Sequence, residues 1–307
     1  MERTFLQAAR KYVYRDRYLY LMLIPVAAYY ILFKFAPLFG EIIAFKNYRI
    51  VDGIWGSEWV GLLQFERLFQ SSDFLIVLRN TLLLNVYSLV FQFPMPIVLA
   101  VLLNEVKHEW FKKILQNMLY VPYFISWVVL GGIITAFLSP STGVVNTVLH
   151  NLFGIEPIFF LANSHWWPFA YIFSGVWQSV GFGTILYMAA MSGIDPQLYE
   201  AAKMDGAGKL RQIWHITLPG IRSTIVILLI LRMGNMMDVG FEQINVLQNP
   251  AVYNVSDVIS TYVYRIGIMG TQYSLTTALG LFQSIISIIL IVSTNKMIKA
   301  FGERGLF

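Results

Sequence analysis

The stretch WWPFAYIFSGVWQSVGFGTILYMAAM, Trp166–Met191, carries no Asp, Glu, Lys or Arg. About 20 mainly apolar residues in a helix cover the hydrocarbon core of a bilayer, so this stretch is predicted to span one. Outward from it, residues 80–104, 114–155, 157–194 and 266–295 are equally uncharged. With an apolar N-terminal run they predict spans over 18–44, 76–104, 114–138, 166–191 and 276–294. A sixth, 219–241, contains Arg222, Arg232 and Asp238 and is required for a consistent topology.

The composition agrees. The chain has 307 residues, 57% hydrophobic and 13% charged, against roughly 25% charged in an ordinary soluble domain. Arg10, Lys11, Arg15 and Arg17 precede the first apolar run in the order of a secretory signal, but no small-x-small cleavage site follows, so a retained first span is expected. Fifteen of the 22 basic residues fall on one side of the six spans: Arg3, Arg10, Lys11, Arg15, Arg17, Lys107, Lys112, Lys113, Lys203, Lys209, Arg211, Arg222, Lys296, Lys299 and Arg304. The positive-inside rule places that side, and both termini, in the cytoplasm. The expected organisation is a cytoplasmic segment 1–17, a six-helix membrane domain 18–297 and a cytoplasmic tail 298–307. The longer outer loops are too short for a separate folded domain.

Several function classes are excluded or disfavoured. Without cysteine there is no disulfide framework, thiolate metal site or cysteine nucleophile. His108, His150, His165 and His215 show no metal-ligand spacing, so no metal site is expected. The net charge of +5 is spread along the chain rather than clustered on a soluble domain, which argues against a nucleic-acid partner. An intramembrane enzyme would need a constellation such as GxSxG with a buried histidine; neither that nor paired aspartates is present, so no catalytic residue is assigned. A scaffold that moves nothing is the other alternative.

Between the fourth and fifth spans lies Ser192-Gly193-Ile194-Asp195-Pro196-Gln197-Leu198-Tyr199-Glu200-Ala201-Ala202-Lys203-Met204-Asp205-Gly206-Ala207-Gly208, continuing to Trp214, Ile216, Leu218 and Pro219. Asp195 is a good N-cap and Pro196 suits the first helical position. Gly206 supplies the left-handed residue that ends the helix. From Lys209, Leu210, Ile213, Trp214 and Thr217 recur at helical spacing away from Arg211 and Gln212, until Pro219 interrupts the pattern. A helical hairpin over 195–219 follows, with its second helix along the inner membrane interface. Physical chemistry alone leaves open whether it is a knob for another protein's cleft or an ordinary interfacial loop.

Glu200-Ala201-Ala202, three residues, Gly206, nine residues, then Ile216-x-Leu218-Pro219 resembles in full the E-A-A-x3-G-x9-I-x-L-P signature of permease subunits of binding-protein-dependent ABC importers. Leu23-Ile24-Pro25, Ala44-Phe45-Lys46, Trp59-Val60-Gly61-Leu62, Asn80-Thr81-Leu82, Leu103-Asn104-Glu105, Tyr120-Val121-Pro122 and Ser256-Asp257-Val258-Ile259 look like the branch that imports oligosaccharides derived from polysaccharides. The resemblance implies an all-α membrane protein with the six-helix type I importer permease fold in the bacterial cytoplasmic membrane. It implies as partners a second permease subunit, two ATP-binding subunits, an extracytoplasmic solute-binding protein, an oligosaccharide and membrane lipid. No cofactor is expected in this chain: it lacks GxxxxGK[ST], so ATP would be bound by the partner subunits. By the resemblance, Glu200, Ala201, Ala202, Asp205, Gly206 and Ala207 form the ATPase-coupling contact, and Ile216, Leu218 and Pro219 anchor its return to the fifth span.

Polar residues inside spans are costly and usually face the bundle interior. In the second span Thr81, Asn85, Ser88 and Gln92 share one face at i, i+4, i+7 and i+11. The fourth span has Ser174, Trp177, Gln178 and Gly181, and the fifth Arg232, Asn235 and Asp238. Asn85, Gln92, Trp177, Gln178, Arg232, Asn235 and Asp238 are the candidate substrate-path residues. Carboxamides and carboxylates suit sugar hydroxyls, aromatic rings suit pyranose faces, and a cationic Arg232 suits an acidic oligosaccharide. Such residues also join helices by hydrogen bonds. Trp110, Trp127, Trp166 and Trp167 read as interface or packing aromatics.

Overall fold

The computed structural model describes residues 15–300. Arg3, Arg10, Lys11 and Arg304, with most of the 1–17 segment and the 301–307 end of the tail, lie outside the described residues. The chain divides into two units, one of residues 1–68 and 272–281, the other of 69–271 and 282–307.

In the first unit, helix α1 (Arg17–Phe45) is long and apolar enough to span a membrane. Two short strands follow, β1 (Lys46–Asn47) and β2 (Glu58–Trp59), paired antiparallel with Lys46 opposite Trp59. The loop they enclose is organised by one side chain: the buried Lys46 ammonium donates to the carbonyls of Ile54 at 2.8 Å, Ser57 at 3.3 Å and Trp55 at 3.5 Å. Helix α2 (Leu63–Gln70) starts here and returns Gln64 to the Lys46 carbonyl at 3.2 Å.

The second unit holds α3 (Ser72–Asn104), α4 (Glu109–Phe124), α5 (Trp127–Phe137), α6 (Val144–Phe153), α7 (Trp167–Ser192), α8 (Pro196–Met204), α9 (Lys209–Gly220), α10 (Arg222–Gly234) and α11 (Phe241–Leu247). The last helix, α12 (Tyr273–Ala300), begins in the first unit and ends in the second. Among the described residues four helices, α1, α3, α7 and α12, are long and apolar enough to cross a membrane. The number rises to six if each of the bent pairs α4/α5 and α9/α10 is one span.

Three expected spans therefore appear unbroken around 18–44, 76–104 and 166–191, and a fourth as the longer α12 around 276–294. The expected 114–138 span is not straight. It turns by 102° between α4 and α5, where Ile125 and Ser126 are extended, three residues after Pro122. The expected 219–241 span bends by 60° after Gly220, and its helix ends at Gly234.

Three prolines in these helices follow a widened turn, whereas Pro25 sits in plain α-helix within α1. A π-turn at Ile31–Phe35 precedes Pro37, one at Ser88–Gln92 precedes Pro94, and one at Ile213–Thr217 precedes Pro219, each ending two residues before the proline. A proline ring collides with the carbonyl four residues back, and a widened turn moves that carbonyl aside, so the helix continues.

Among the described residues, apolar cores gather in the second unit. One gathers Leu84, Trp167, Tyr171, Val239, Ile244, Leu247, Val252 and Val258, with the Trp167 indole donating to the Leu247 carbonyl at 3.0 Å. Another gathers Ala100 and Val101 of α3, Tyr187 and Met191 of α7 and Ile221, with Ile213 and Leu218 packed against it. Helix α7 is pressed closely onto its neighbours at glycines: a Cβ on Gly183 would stand 2.9 Å from Pro96 of α3.

Candidate functional site: the 195–219 hairpin and a polar face

The 195–219 segment forms two helices joined by a glycine turn. The Asp195 carboxylate accepts from the Gln197 amide at 2.9 Å, capping α8, and Pro196 occupies the first turn where its missing donor costs nothing. At the other end the Ala207 amide donates to the Ala202 carbonyl at 2.8 Å and the Gly206 amide to the Lys203 carbonyl at 3.0 Å. With Gly206 at φ +75° this is a Schellman closure. Nothing lies within 4 Å of a Cβ built on Gly206, so backbone conformation rather than space demands the glycine.

The second helix is fastened back onto the first. Gln212 Nε2 donates to the Ala207 carbonyl at 2.8 Å, and the Tyr199 and Thr217 hydroxyls lie 3.0 Å apart. Between the helices is a shallow cleft of about 210 Å³ lined by Ala202, Asp205, Ala207, Arg211, Gln212, His215 and Ile216. Glu200 and Ala201 are exposed beside it, and Ala202 is half-buried. The segment thus presents small residues, both charge signs and a rigid turn.

The expected apolar face of α9 is divided: its outer part stays exposed, and Thr217 turns inward with Gln212. Leu210 (75% exposed) and Trp214 (68%) point away from the chain, whereas Gln212 (4%) and Thr217 are buried. Two causes are visible: the polar side chains Gln212 and Thr217 have partners on α8 and its turn, and the π-turn at Ile213–Thr217 shifts the helical register. Pro219 does not end the helix, which that π-turn carries on to Gly220. Ile216 and Leu218 are half-buried and Pro219 exposed where the chain turns into α10. A Cβ on Gly220 would stand 2.6 Å from Ile194, so the two ends of the hairpin touch.

The polar face of the second span is divided in use. Thr81 Oγ1 donates to the Val77 carbonyl at 2.8 Å and accepts from the Ile259 amide at 3.0 Å; Asn85 Nδ2 donates to the Thr81 carbonyl of its own helix at 2.9 Å. Both side chains are buried among protein. Further along, Ser88 and Gln92 lie in the π-turn, and Gln92 meets α7 at Gly175, where a Cβ would stand 2.3 Å from Gln92 Nε2. That nitrogen is buried and finds no acceptor among the described residues. Gln243 of α11 converges on the same spot, its Nε2 donating to the Tyr171 carbonyl at 2.7 Å and to Ser174 Oγ at 3.0 Å.

The expected path residues are thus only partly assembled. Gln92 lies against Gly175, next to Ser174, and Gln178 reaches the Tyr123 carbonyl at 3.4 Å. Trp177 is exposed on α7, Arg232 is half-buried in the last turn of α10, and Asn235 and Asp238 are exposed beyond that helix. The expected path residues end at Asp238 and omit Gln243. The signal was the helical recurrence of Gln243, Ile244 and Leu247, all buried. Among the tryptophans Trp167 is buried in the core and Trp110 is exposed. Among the described residues no group of acidic and histidine side chains is arranged to hold a metal.

A family model described as "Binding-protein-dependent transport system inner membrane component" matches residues 92–304. The Polygalacturonan/rhamnogalacturonan transport system permease protein YteP of Bacillus subtilis (strain 168) is 46% identical over 95% of this chain and 91% of its own length. Protein LplB of the same organism is 46% identical over 95% and 92%. A permease chain in the crystal structure of a bacterial alginate ABC transporter, in complex with an alginate pentasaccharide-bound periplasmic protein, superposes with a TM-score of 0.89. It is 40% identical, over 96% of this chain and 99% of that one. With a family match over more than half its length and relatives this similar along nearly all of it, the chain belongs to the family of binding-protein-dependent transport system inner membrane components.

Proposed function

We propose that the chain is one of two pathway-forming permease subunits of an ATP-driven importer for oligosaccharides, acidic ones in particular. The observation that carries the transport reading is the closed turn at Ala202–Ala207, which holds Glu200, Ala201, Ala202, Asp205, Gly206 and Ala207 as a rigid, exposed knob at the family signature. Such a preorganised surface suits a partner's cleft because little ordering remains to be done on binding. Two separate ATP-binding subunits would grip it, the chain itself having no phosphate-binding loop and no enzymatic role. Ile216, Leu218 and Pro219 would pass the movement to α10. An extracytoplasmic binding protein would deliver the cargo on the opposite side, with both termini in the cytoplasm as the basic residues require.

The acidic preference is supported by the relative named for polygalacturonan and rhamnogalacturonan and by the likeness to an importer of "the acidic polysaccharide alginate". Gln92, Gln178 and Asn235 would serve sugar hydroxyls, Trp177 a pyranose face and Arg232 a uronate carboxylate, with Asp238 and Asn85 flanking the path. The reconstituted complex should accumulate uronate oligosaccharides and raise its ATPase rate with their loaded binding protein. A clear preference for neutral oligosaccharides would reject the acidic assignment, and absence of uptake of any oligosaccharide would reject the transport reading.

A further inference from the structure

The coupling hairpin is joined covalently to the fourth and fifth spans alone, yet it also grips the second. Lys209 Nζ of α9 lies 2.5 Å from Glu105 Oε2, immediately beyond the inner end of α3. Beside this ion pair, Ala100 and Val101 of α3 share one apolar core with Tyr187 and Met191 of α7 and Ile221, against which Ile213 and Leu218 of the hairpin pack. An exposed ion pair alone holds little. An ion pair set on the rim of a packed core differs, because a close-packed core resists sliding and transmits displacement.

We infer that the inner end of the second span moves with the coupling hairpin as one body, with Glu105 and Lys209 as positioning residues that keep the two in register. The inference rests on reading the hairpin as the ATPase contact, and it adds a second route for the motion. From Glu105 the helix runs about 20 Å, at roughly 1.5 Å per residue, to Gln92 in the π-turn. There the helical register is already widened, and the Gln92 carboxamide sits on Gly175 with its nitrogen lacking an acceptor among the described residues. Displacement entering at Glu105 therefore arrives where α3, α7 and α11 bring their polar groups together. The covalent route through Pro219 reaches α10 instead.

The chain has no cysteine, which makes the test direct. Glu105→Cys and Lys209→Cys in one chain, assembled with cysteine-free partners, are joined by a short reducible thiosulfonate cross-linker. The cross-linked complex is expected to keep its uptake and its binding-protein-stimulated ATPase rate. Loss of both, restored by reducing the cross-link, would show that hairpin and span must slide past each other and would overturn the inference. Charge reversal supplies the second measurement. Glu105→Lys and Lys209→Glu singly should each lower the sugar imported per ATP hydrolysed by about threefold, the scale of a partly exposed ion pair, and the double reversal should restore it. Single variants with unchanged stoichiometry, or a double variant no better than either, would overturn the positioning role. Lack of uptake by the native complex would remove the transport reading instead, and the effect of the cross-link on basal ATPase, which requires no sugar, would still decide the inference.

Discussion

Gly181 of α7 lies directly against the backbone of Leu119 in α4: a Cβ on Gly181 would stand 2.0 Å from the Leu119 carbonyl oxygen. Backbone cannot swing aside as a flexible side chain can. Gly181→Ala should therefore force the two helices apart and cost about 1–3 kcal/mol or more, as overpacking does. Thermal unfolding of the purified complex measures this. Gly132→Ala is the control, since nothing lies within 4 Å of its Cβ and alanine favours the helix.

Gly206 separates strain from hydrogen bonding. Gly206→Ala meets no neighbour but must hold φ near +75°, costing on the order of 1–2 kcal/mol. Gly206→Pro is incompatible with that φ and also removes the donor to the Lys203 carbonyl. The expected order of substrate-stimulated ATPase activity is native, then alanine, then proline close to the basal rate, with equal amounts of each inserted in the membrane. A bulky residue at Ala202 should uncouple as proline does.

Asp257 is buried in the loop after α11. Its carboxylate pairs with Arg265, accepts from Thr261 Oγ1 at 2.8 Å, and Arg265 lies 5.0 Å from the Tyr253 ring. Burial is the largest influence and raises its pKa above the ordinary carboxylate value; the Thr261 bond and Arg265 pull it back. A raised folded pKa favours the protonated form, so this stability is present at low pH and lost as pH rises through the folded value. Arg265→Met leaves the charge uncompensated and should cost about 3–5 kcal/mol at neutral pH. The loss should shrink on acidification and in the Arg265→Met/Asp257→Asn double variant. A pH series of melting temperatures checks both.

Lys46→Met removes the ammonium that three carbonyls share. A carbonyl left buried without its donor costs about 1–3 kcal/mol, and only the Ser57 contact is fully buried, so the loop should open locally rather than unfold the helices. Hydrogen exchange should quicken at 53–57 and stay unchanged in α7.

Much of the fold was legible because membrane insertion obeys local rules. An apolar N-terminal run located α1, uncharged runs located α3, α7 and α12, and Asp195, Pro196 and Gly206 marked the cap and turn of α8, since capping and left-handed backbone depend on single residues and their immediate neighbours. The family signature was recognisable for the same reason: its spacing is written along one stretch of chain.

What the sequence by itself determined, then, is which segments enter the membrane and where the hairpin turns. Tertiary structure alone decided the rest. Gln212 rather than Leu210 faces inward on α9 because its partner, the Ala207 carbonyl, exists only once the hairpin has closed. Gln243 joins the polar face because Tyr171 and Ser174, some 70 residues away along the chain, supply its acceptors. Glu105 meets Lys209 because a packed core brings the ends of three helices together. Hydropathy and propensity are properties of neighbours in sequence, whereas hydrogen-bond partners and close packing are properties of neighbours in space.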